Sequence, residues 1–324
     1  MRTALKIIAA LIVIAVAGFF IFAPGYVEST RNAVVPHDPY PVSDAARALH
    51  DDMIVGDWHA DSLLWNRDIT ERGDRGQVDV PRLIEGGVAI QIFTAVTKSP
   101  AGQNYEENSA DAFDNITPLA IGQLWPMRTW TSILERALYQ AEKLHKAAAK
   151  DPEHLTIIKS LADLEAHLAA RAAGSQAVGG ILGIEGAHPL EGDIANLDKI
   201  EAAGHRIIGL QHFFDNALGG SLHGEGNLGL TDFGRAVVAD IEGRGMVLDL
   251  AHSSPQVARD VLAMTDMPVI VSHSGIHGFC PVKRNFPDDL MREIAATGGV
   301  IGMGYWAEVA CNDITPSGIA KMIK

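Results

Sequence analysis

The sequence predicts an α/β chain folded as a (β/α)8 barrel of the TIM type, incomplete at about seven βα units and preceded by an N-terminal transmembrane helix. Short, uninterrupted apolar runs alternate with stretches of helical periodicity, the pattern of parallel strands buried on both faces. Four of those runs deliver a metal-ligand type at their end: Met53–Trp58 leads into His59-Ala60-Asp61, Gly180–Ile184 into Glu185-Gly186, Met246–Ala251 into His252, and Pro268–Ser272 into His273. In such a barrel these ends share one mouth, where active sites sit. An apolar strand also has no reason to bury Glu185 unless something positive meets it.

Composition narrows the function. The 324 residues are 47% hydrophobic and 20% charged, ordinary for a globular protein, and the net charge of −14 excludes a nucleic-acid partner, which needs basic surface. The two cysteines, Cys280 and Cys311, form neither a disulfide scaffold nor a thiolate metal site; a single bond between them stays open. With 13 histidines, position has to select the few that matter.

Taken in order, residues 1–27 read as a signal anchor. Arg2 and Lys6 precede an uncharged stretch from Ile7 to Val27, about 20 residues and long enough to span a bilayer. Positive charge before the span should leave the short tail cytoplasmic and the bulk outside. Small residues at Ala15-Val16-Ala17 keep peptidase cleavage, and a secreted form, open. Residues 28–46, with Pro36, Pro39 and Pro41, read as an extended linker. Residues 47–324 then form the barrel. Asp44–Asp52 is helical with Ser43 as N-cap, and Val80–Glu85 is a short helix stopped by Gly86-Gly87. Val88–Val96 is the second strand. The stripe Ile133, Leu134, Ala137, Leu138, Ala141 and Leu144 is a core-facing helix, with Trp125 and Trp130 packed near it. Leu161–Ala173 and Ile194–Ala203 are helices, and His205–His212 is a strand. The glycine-rich segment Asn216–Leu228 lacks the lysine and tight geometry of a phosphate loop and reads as a mobile loop over the mouth. Helices from Thr231 to Arg244, Pro255 to Met264 and Pro287 to Thr297, a strand at Gly299–Tyr305 and a helix from Thr315 complete the count. A closed barrel needs eight units, so a C-terminal truncation is the expectation.

His59 and Asp61 alternate along an extended segment and share a face, and imidazole with carboxylate suits zinc. Glu185 has two oxygens and could bridge two ions, the second held by His252 and His273. Such a pair can share a hydroxide and polarise a carbonyl. His212 either caps its strand or donates to a developing oxyanion. Arg284 is either a surface charge or a bidentate grip on a substrate carboxylate. Asp57, His188, His223 and His277 read as supporting or loop residues, Trp65 as packing, and Asp249 as structural.

These stretches together resemble the membrane (renal) dipeptidases, peptidase family M19, from about Asp51 to Trp306. The shared set is His59-x-Asp61, Val78-Asp79-x-Pro81-Arg82-Leu83, Glu185-Gly186, Gly229-Leu230-Thr231-x-Phe233-Gly234, Asp249-Leu250-x-His252, Ser272-His273-Ser274 and Arg284-Asn285-x-Pro287-Asp288-Asp289. The resemblance implies a zinc dipeptidase with two Zn2+ ions, other divalent ions suiting the same ligands. His59 and Asp61 would hold one ion, Glu185 would bridge, and His252 and His273 would hold the other. His212 would touch the substrate carbonyl and Arg284 its terminal carboxylate, while a metal-bridging hydroxide hydrolyses the dipeptide. The family's catalytic aspartate has no counterpart before Lys324, so no catalytic acid or base is identified and impaired activity is expected. Trp58 and Ala60 depart from the residues usual around the H-x-D, which bears on substrate range. A homodimer stays open. The alternatives are an amidohydrolase acting on N-acyl amino acids or lactones, and a non-catalytic metal- or ligand-binding remnant.

Overall fold

A computed structural model describes residues 2–226 and 228–324. Its centre is a parallel sheet curled into a nearly closed barrel. The strands are β1 (Val55–Ala60), β2 (Val88–Val96), β3 (Leu155–Ile157), β4 (Val178–Glu185), β5 (His205–Gly209), β6 (Val247–Asp249), β7 (Ile270–Ser274) and β8 (Val300–Met303). Seven of them follow one another around the barrel in the order β1-β2-β4-β5-β6-β7-β8, and β3 pairs only with the start of β4. Among the described residues no ladder joins β8 to β1. The longest register runs from Ile90 opposite Gly179 to Val96 opposite Glu185, so β2 and β4 carry their ends to the same height at the mouth.

The helices pack outside: α2 (Asp44–Asp51), α3 (Val80–Glu85), α4 (Ile116–Gly122), α5 (Ile133–Lys150), α6 (Leu161–Ala172), α7 (Asn196–Ala202), α8 (Asp232–Gly243), α9 (Pro255–Leu262), α10 (Asp288–Ala296) and α11 (Pro316–Ile323). Their starts follow local chemistry. Ser43, Asp79, Thr231 and Ser254 each accept a hydrogen bond from the backbone N–H three residues on, satisfying a donor the first turn leaves free. The predicted stripe of α5 buries Leu134, Ala137, Ala141 and Leu144. One core cluster joins α7–α10 to β4–β7, and a second joins α3 and α5 to β2–β4.

Several expectations are corrected. The apolar N-terminal run belongs to α1 (Arg2–Arg31), which extends past Val27 into the segment read as a linker; no regular element occupies residues 32–43. Helix α4 and the three-residue β3 were not foreseen, because each is too short for a periodicity to declare itself. The glycine-rich segment is packed rather than loose. Leu218, Ser221, Leu222 and His223 are buried, and single bridges tie Gly219 to Leu230 and Ser221 to Ser253. Asn227 of that segment lies outside the described residues. Cys280 and Cys311 are bonded.

Candidate metal centre

The mouth gathers the predicted residues from five strand ends. His59 lies inside β1, and Asp61 follows it at the start of a turn of 3-10 helix, Ser62–Leu64. Glu185 is the last residue of β4. His212 and His252 each stand three residues beyond β5 and β6, and His273 lies inside β7. The strands thus end earlier or later than their apolar runs suggest, and the turns after them do the final aiming.

Glycine makes one of these turns. Gly186 has φ 78°, and a Cβ there would come within 2.7 Å of the His188 ring and 3.0 Å of His212 Cβ. Only glycine combines that left-handed backbone with such close approach, so Glu185 can end its strand at the mouth with His212 beside it. Asp249 also supports the rim. Its Oδ1 accepts from Ala251 N at 3.0 Å and Ser272 N at 2.9 Å, fixing the segments that carry His252 and His273.

Glu185 is the hub. Its Oε1 lies 3.0 Å from His252 Nε2 and 3.5 Å from both His59 Nε2 and His273 Nε2, and its Oε2 lies 3.2 Å from His212 Nε2. His59 Nε2 is 3.2 Å from Asp61 Oδ1, and Thr94 Oγ1 donates to that oxygen at 2.5 Å. The Nε2 atoms of His252 and His273 are 3.1 Å apart. Burial holds both imidazoles well below the ordinary histidine range, so they are neutral and their lone pairs converge. Convergent neutral imidazoles around a carboxylate are a donor set completed by a cation. Burial alone would lower His59, but the charges of Asp61 and Glu185 together raise it to about 10. Burial, reinforced by the Asp61 charge, raises Glu185 to about 8. Both shifts keep a proton in the buried cluster, and a bound cation would displace it.

All five predicted ligands therefore come together. Two tight sets can each hold an ion, His59 with Glu185 and His273, and Glu185 with His212 and His252. His212 stands closer to the ligand group than expected. In the tautomer that donates Nδ1–H to Lys98 O at 3.3 Å, its Nε2 presents a lone pair, the state of a ligand and not of an oxyanion donor. Asp61 stands outside both tight sets and reaches the cluster through His59. Of the three imidazoles at Glu185 Oε1, only His273 has its other ring nitrogen oriented, by Ser272 Oγ at 2.8 Å; His59 Nδ1 and His252 Nδ1 meet no partner among the described residues.

Arg284 is not a surface charge. It is 2% exposed, its Nη2 donates to His273 O at 2.6 Å, and its Nε and Nη1 meet no acceptor among the described residues. Burial lowers it to about 10, still charged at neutral pH. Its guanidinium lies 5.6 Å over the Trp306 ring. Hydrogen bonds from the Asn285 side chain to Cys280 O and Val309 O hold its loop, and the Cys280–Cys311 bond closes it further. A cavity of about 1300 Å³ is lined by His59, Glu185, His252, His273 and Arg284 among others. Trp65 packs against Leu64, Val96 and Trp125, as expected of a core residue. Trp306 and Tyr105 at this cavity, and Thr94 bonded to Asp61, were not singled out. Thr94 carried a faint signal, a hydroxyl in an apolar strand whose end reaches the mouth.

A parallel barrel with acidic and imidazole ligands at its strand ends defines a metal-dependent hydrolase-like class. Within it, the chain belongs to the membrane dipeptidase family, peptidase family M19, whose model matches residues 43–323. It is 27% identical over 289 residues to dipeptidase aclJ of Aspergillus oryzae (strain ATCC 42149 / RIB 40), which covers 82% of this chain and 61% of that relative. The chain thus spans about three-fifths of that relative's length. Among solved structures, it is similar to the probable dipeptidase PvdM from Pseudomonas aeruginosa (21% identity, TM-score 0.64, 82% of this chain and 63% of that one). It is also similar to a metallo peptidase from Rhodobacter sphaeroides liganded with a phosphinate mimic of the dipeptide L-Ala-D-Ala (22% identity, TM-score 0.62, 84% and 81%). At these identities the likeness to solved structures is one of fold.

Proposed function

We propose that this chain is the metal-binding barrel of a zinc dipeptidase. The observation that carries the reading is the convergence of His59, His252 and His273 on one oxygen of Glu185 within 3.5 Å. In this reading His59, Asp61, Glu185, His252 and His273 would hold two divalent ions, Glu185 offering one carboxylate oxygen to each of the two ligand sets. Such ions, when bound, polarise a carbonyl and lower the pKa of water towards neutrality. The remaining work belongs to the chain's own side chains. Arg284 donates to the dipeptide carboxylate from an N–H that meets no acceptor among the described residues, at Nη1 or Nε. His212 meets the scissile carbonyl; donating to it requires the Nε2–H tautomer, at the expense of the contact to Lys98 O. The apolar walls at Leu64, Trp65 and Phe213 exclude water and strengthen the electrostatics. Helix α1 anchors the chain in a membrane with the barrel outside the cytoplasm, a reading supported by a mean hydropathy of 2.8 over an 18-residue stretch with no buried residue and by Arg2 and Lys6 at its start.

A larger N-acyl amino acid or a lactone is the competing substrate class, favoured by a cavity far larger than a dipeptide. The test is turnover of a panel of dipeptides, N-acyl amino acids and lactones by the zinc-loaded chain, with Glu185→Gln as control. Dipeptide hydrolysis that falls about 100-fold or more in the variant, with loss of bound zinc, is the expected result. Zinc bound with no hydrolysis of any compound would instead identify a binding protein, and preference for N-acyl compounds or lactones would replace the substrate.

A further inference from the structure

We propose that the barrel lies with its mouth against the bilayer that α1 enters, and that the turn following α4 touches lipid there. The proposal rests on the reading of α1 as a membrane span. The geometry comes from where α1 is docked. Phe19 and Pro24 lie against Gly122, the last residue of α4, where a Cβ would be 3.6 Å from either side chain. The next residue, Gly25, accepts through its O from Arg75 Nη1 at 3.0 Å. At the end of the helix Asn32 O accepts from Gly76 N at 2.7 Å.

These contacts give α1 a direction. Gly122 belongs to the connection that leaves the C-terminal end of β2, on the mouth side. Gly76 stands four residues before α3, which leads back to the start of β2 at the base, and Val27 and Arg31 line the cavity together with Val55 and Val88, the first residues of β1 and β2. The helix therefore descends from mouth to base along the barrel, and the residues before Phe19 project past the mouth. They would reach about 25 Å at 1.5 Å per residue, close to the thickness of a hydrocarbon core. Leu5, Ile8, Leu11, Ile12 and Val16 among them are at least half exposed. Phe19, Ala23, Pro24 and Val27 line the same cavity as His59 and Glu185, so the helix that enters the bilayer is also a wall of the site.

The turn after Gly122 supplies the second, independent observation. Leu124 and Met127 are 67% and 74% exposed, beside the point where α1 packs on α4. Leu124 has φ 55°, a left-handed conformation that a side-chain-bearing residue adopts at a cost. Its neighbour Trp125 is buried, with its backbone N–H donated to Ala120 O at 2.9 Å. The turn thus sends a tryptophan inward and holds a leucine outward in a conformation that glycine or asparagine would fill more easily. An apolar side chain displayed this way next to a projecting apolar helix fits the acyl–headgroup boundary of a bilayer. The net charge of −14 argues for apolar contact with zwitterionic lipid in preference to attraction by anionic lipid.

Because Cys280 and Cys311 are the only cysteines and are bonded, a single new thiol can carry an environment-sensitive fluorophore. The full chain, reconstituted in phosphatidylcholine vesicles, is labelled in three separate variants: Leu124→Cys, Met127→Cys and Leu161→Cys. Leu161 is 69% exposed and follows β3, whose partner residues are at the base of β4. The expected result is blue-shifted emission and at least twofold quenching by spin-labelled lipid at 124 and 127, with neither at 161. Aqueous emission at all three positions, in protein that resists carbonate extraction, would overturn the orientation while leaving the span intact. Protein that washes off the vesicles would overturn the span reading itself, and the proposal with it. Equal quenching at 161 would show a barrel with no preferred face.

Discussion

Arg284 shows how much a single side chain can depend on its surroundings. In the sequence, Lys283-Arg284-Asn285 is a charged patch equally at home on a surface. In the fold the guanidinium is buried, keeps its charge, and has two nitrogens, Nε and Nη1, that meet no acceptor among the described residues. Arg284→Met should raise KM for dipeptides by about 100-fold with a smaller change in kcat, since hydrogen bonds to a charged group contribute roughly 1.5–3 kcal/mol; steady-state kinetics on a dipeptide and its amidated counterpart check this, because the amide should be insensitive. His205 illustrates a histidine with a structural role. Its ring is buried beside Gly183 O at 3.1 Å, and burial lowers it to about 4. The folded chain refuses a proton that the unfolded chain accepts below the ordinary value of about 6.5. Stability contributed by the neutral ring is therefore complete above about 6.5 and lost as pH falls towards 4, by up to about 3 kcal/mol. His205→Gln should flatten that part of the acid limb in a series of melting temperatures between pH 6.5 and 4. An unchanged slope would show that the other buried histidines carry the limb.

At the scale of elements, long segments with a clear period were legible and short ones were not. Strand β2, α3 and the buried stripe of α5 fall where the pattern puts them, because many side chains there vote for one face. Strand β3 and α4 offer too few residues to establish a period. The ligand-bearing turns were legible by residue type but not by position: His212 and His252 stand beyond their strands, and no periodicity reports where a strand's pairing stops. The loop carrying Arg284 is an element held from outside, by the Cys280–Cys311 bond across 31 residues. Closing a loop of that length stabilises by about 3–4 kcal/mol on the chain-entropy account. The double variant Cys280→Ser, Cys311→Ser should melt at lower temperature and show a raised KM with kcat nearly intact, as expected if the bond positions Arg284. Calorimetry and kinetics on the same preparation separate the two effects; a lower melting temperature with unchanged KM would limit the bond to stability.

For the whole molecule, a metal held by the buried cluster at the mouth would couple binding to folding. Ligands bound in the native state and dispersed in the unfolded chain stabilise by about 2.7 kcal/mol at a concentration 100 times the dissociation constant. Chelation should therefore lower the melting temperature by several degrees, with recovery on adding zinc, and scanning calorimetry with elemental analysis measures both. A melting temperature indifferent to chelator would contradict a resident metal. The amino-acid sequence by itself determined the class of fold, the alternation of strand and helix and the residue types at the mouth, because periodicity and ligand chemistry are local properties of the chain. Only the tertiary structure decided that His59, His252 and His273 share one carboxylate oxygen, that Arg284 is buried, that the glycine-rich segment is packed, and that α1 runs down the barrel wall beside the site. Each of these is a contact between residues distant along the chain. Such contacts are set by the closure of the sheet and the packing of its helices, which no local pattern encodes.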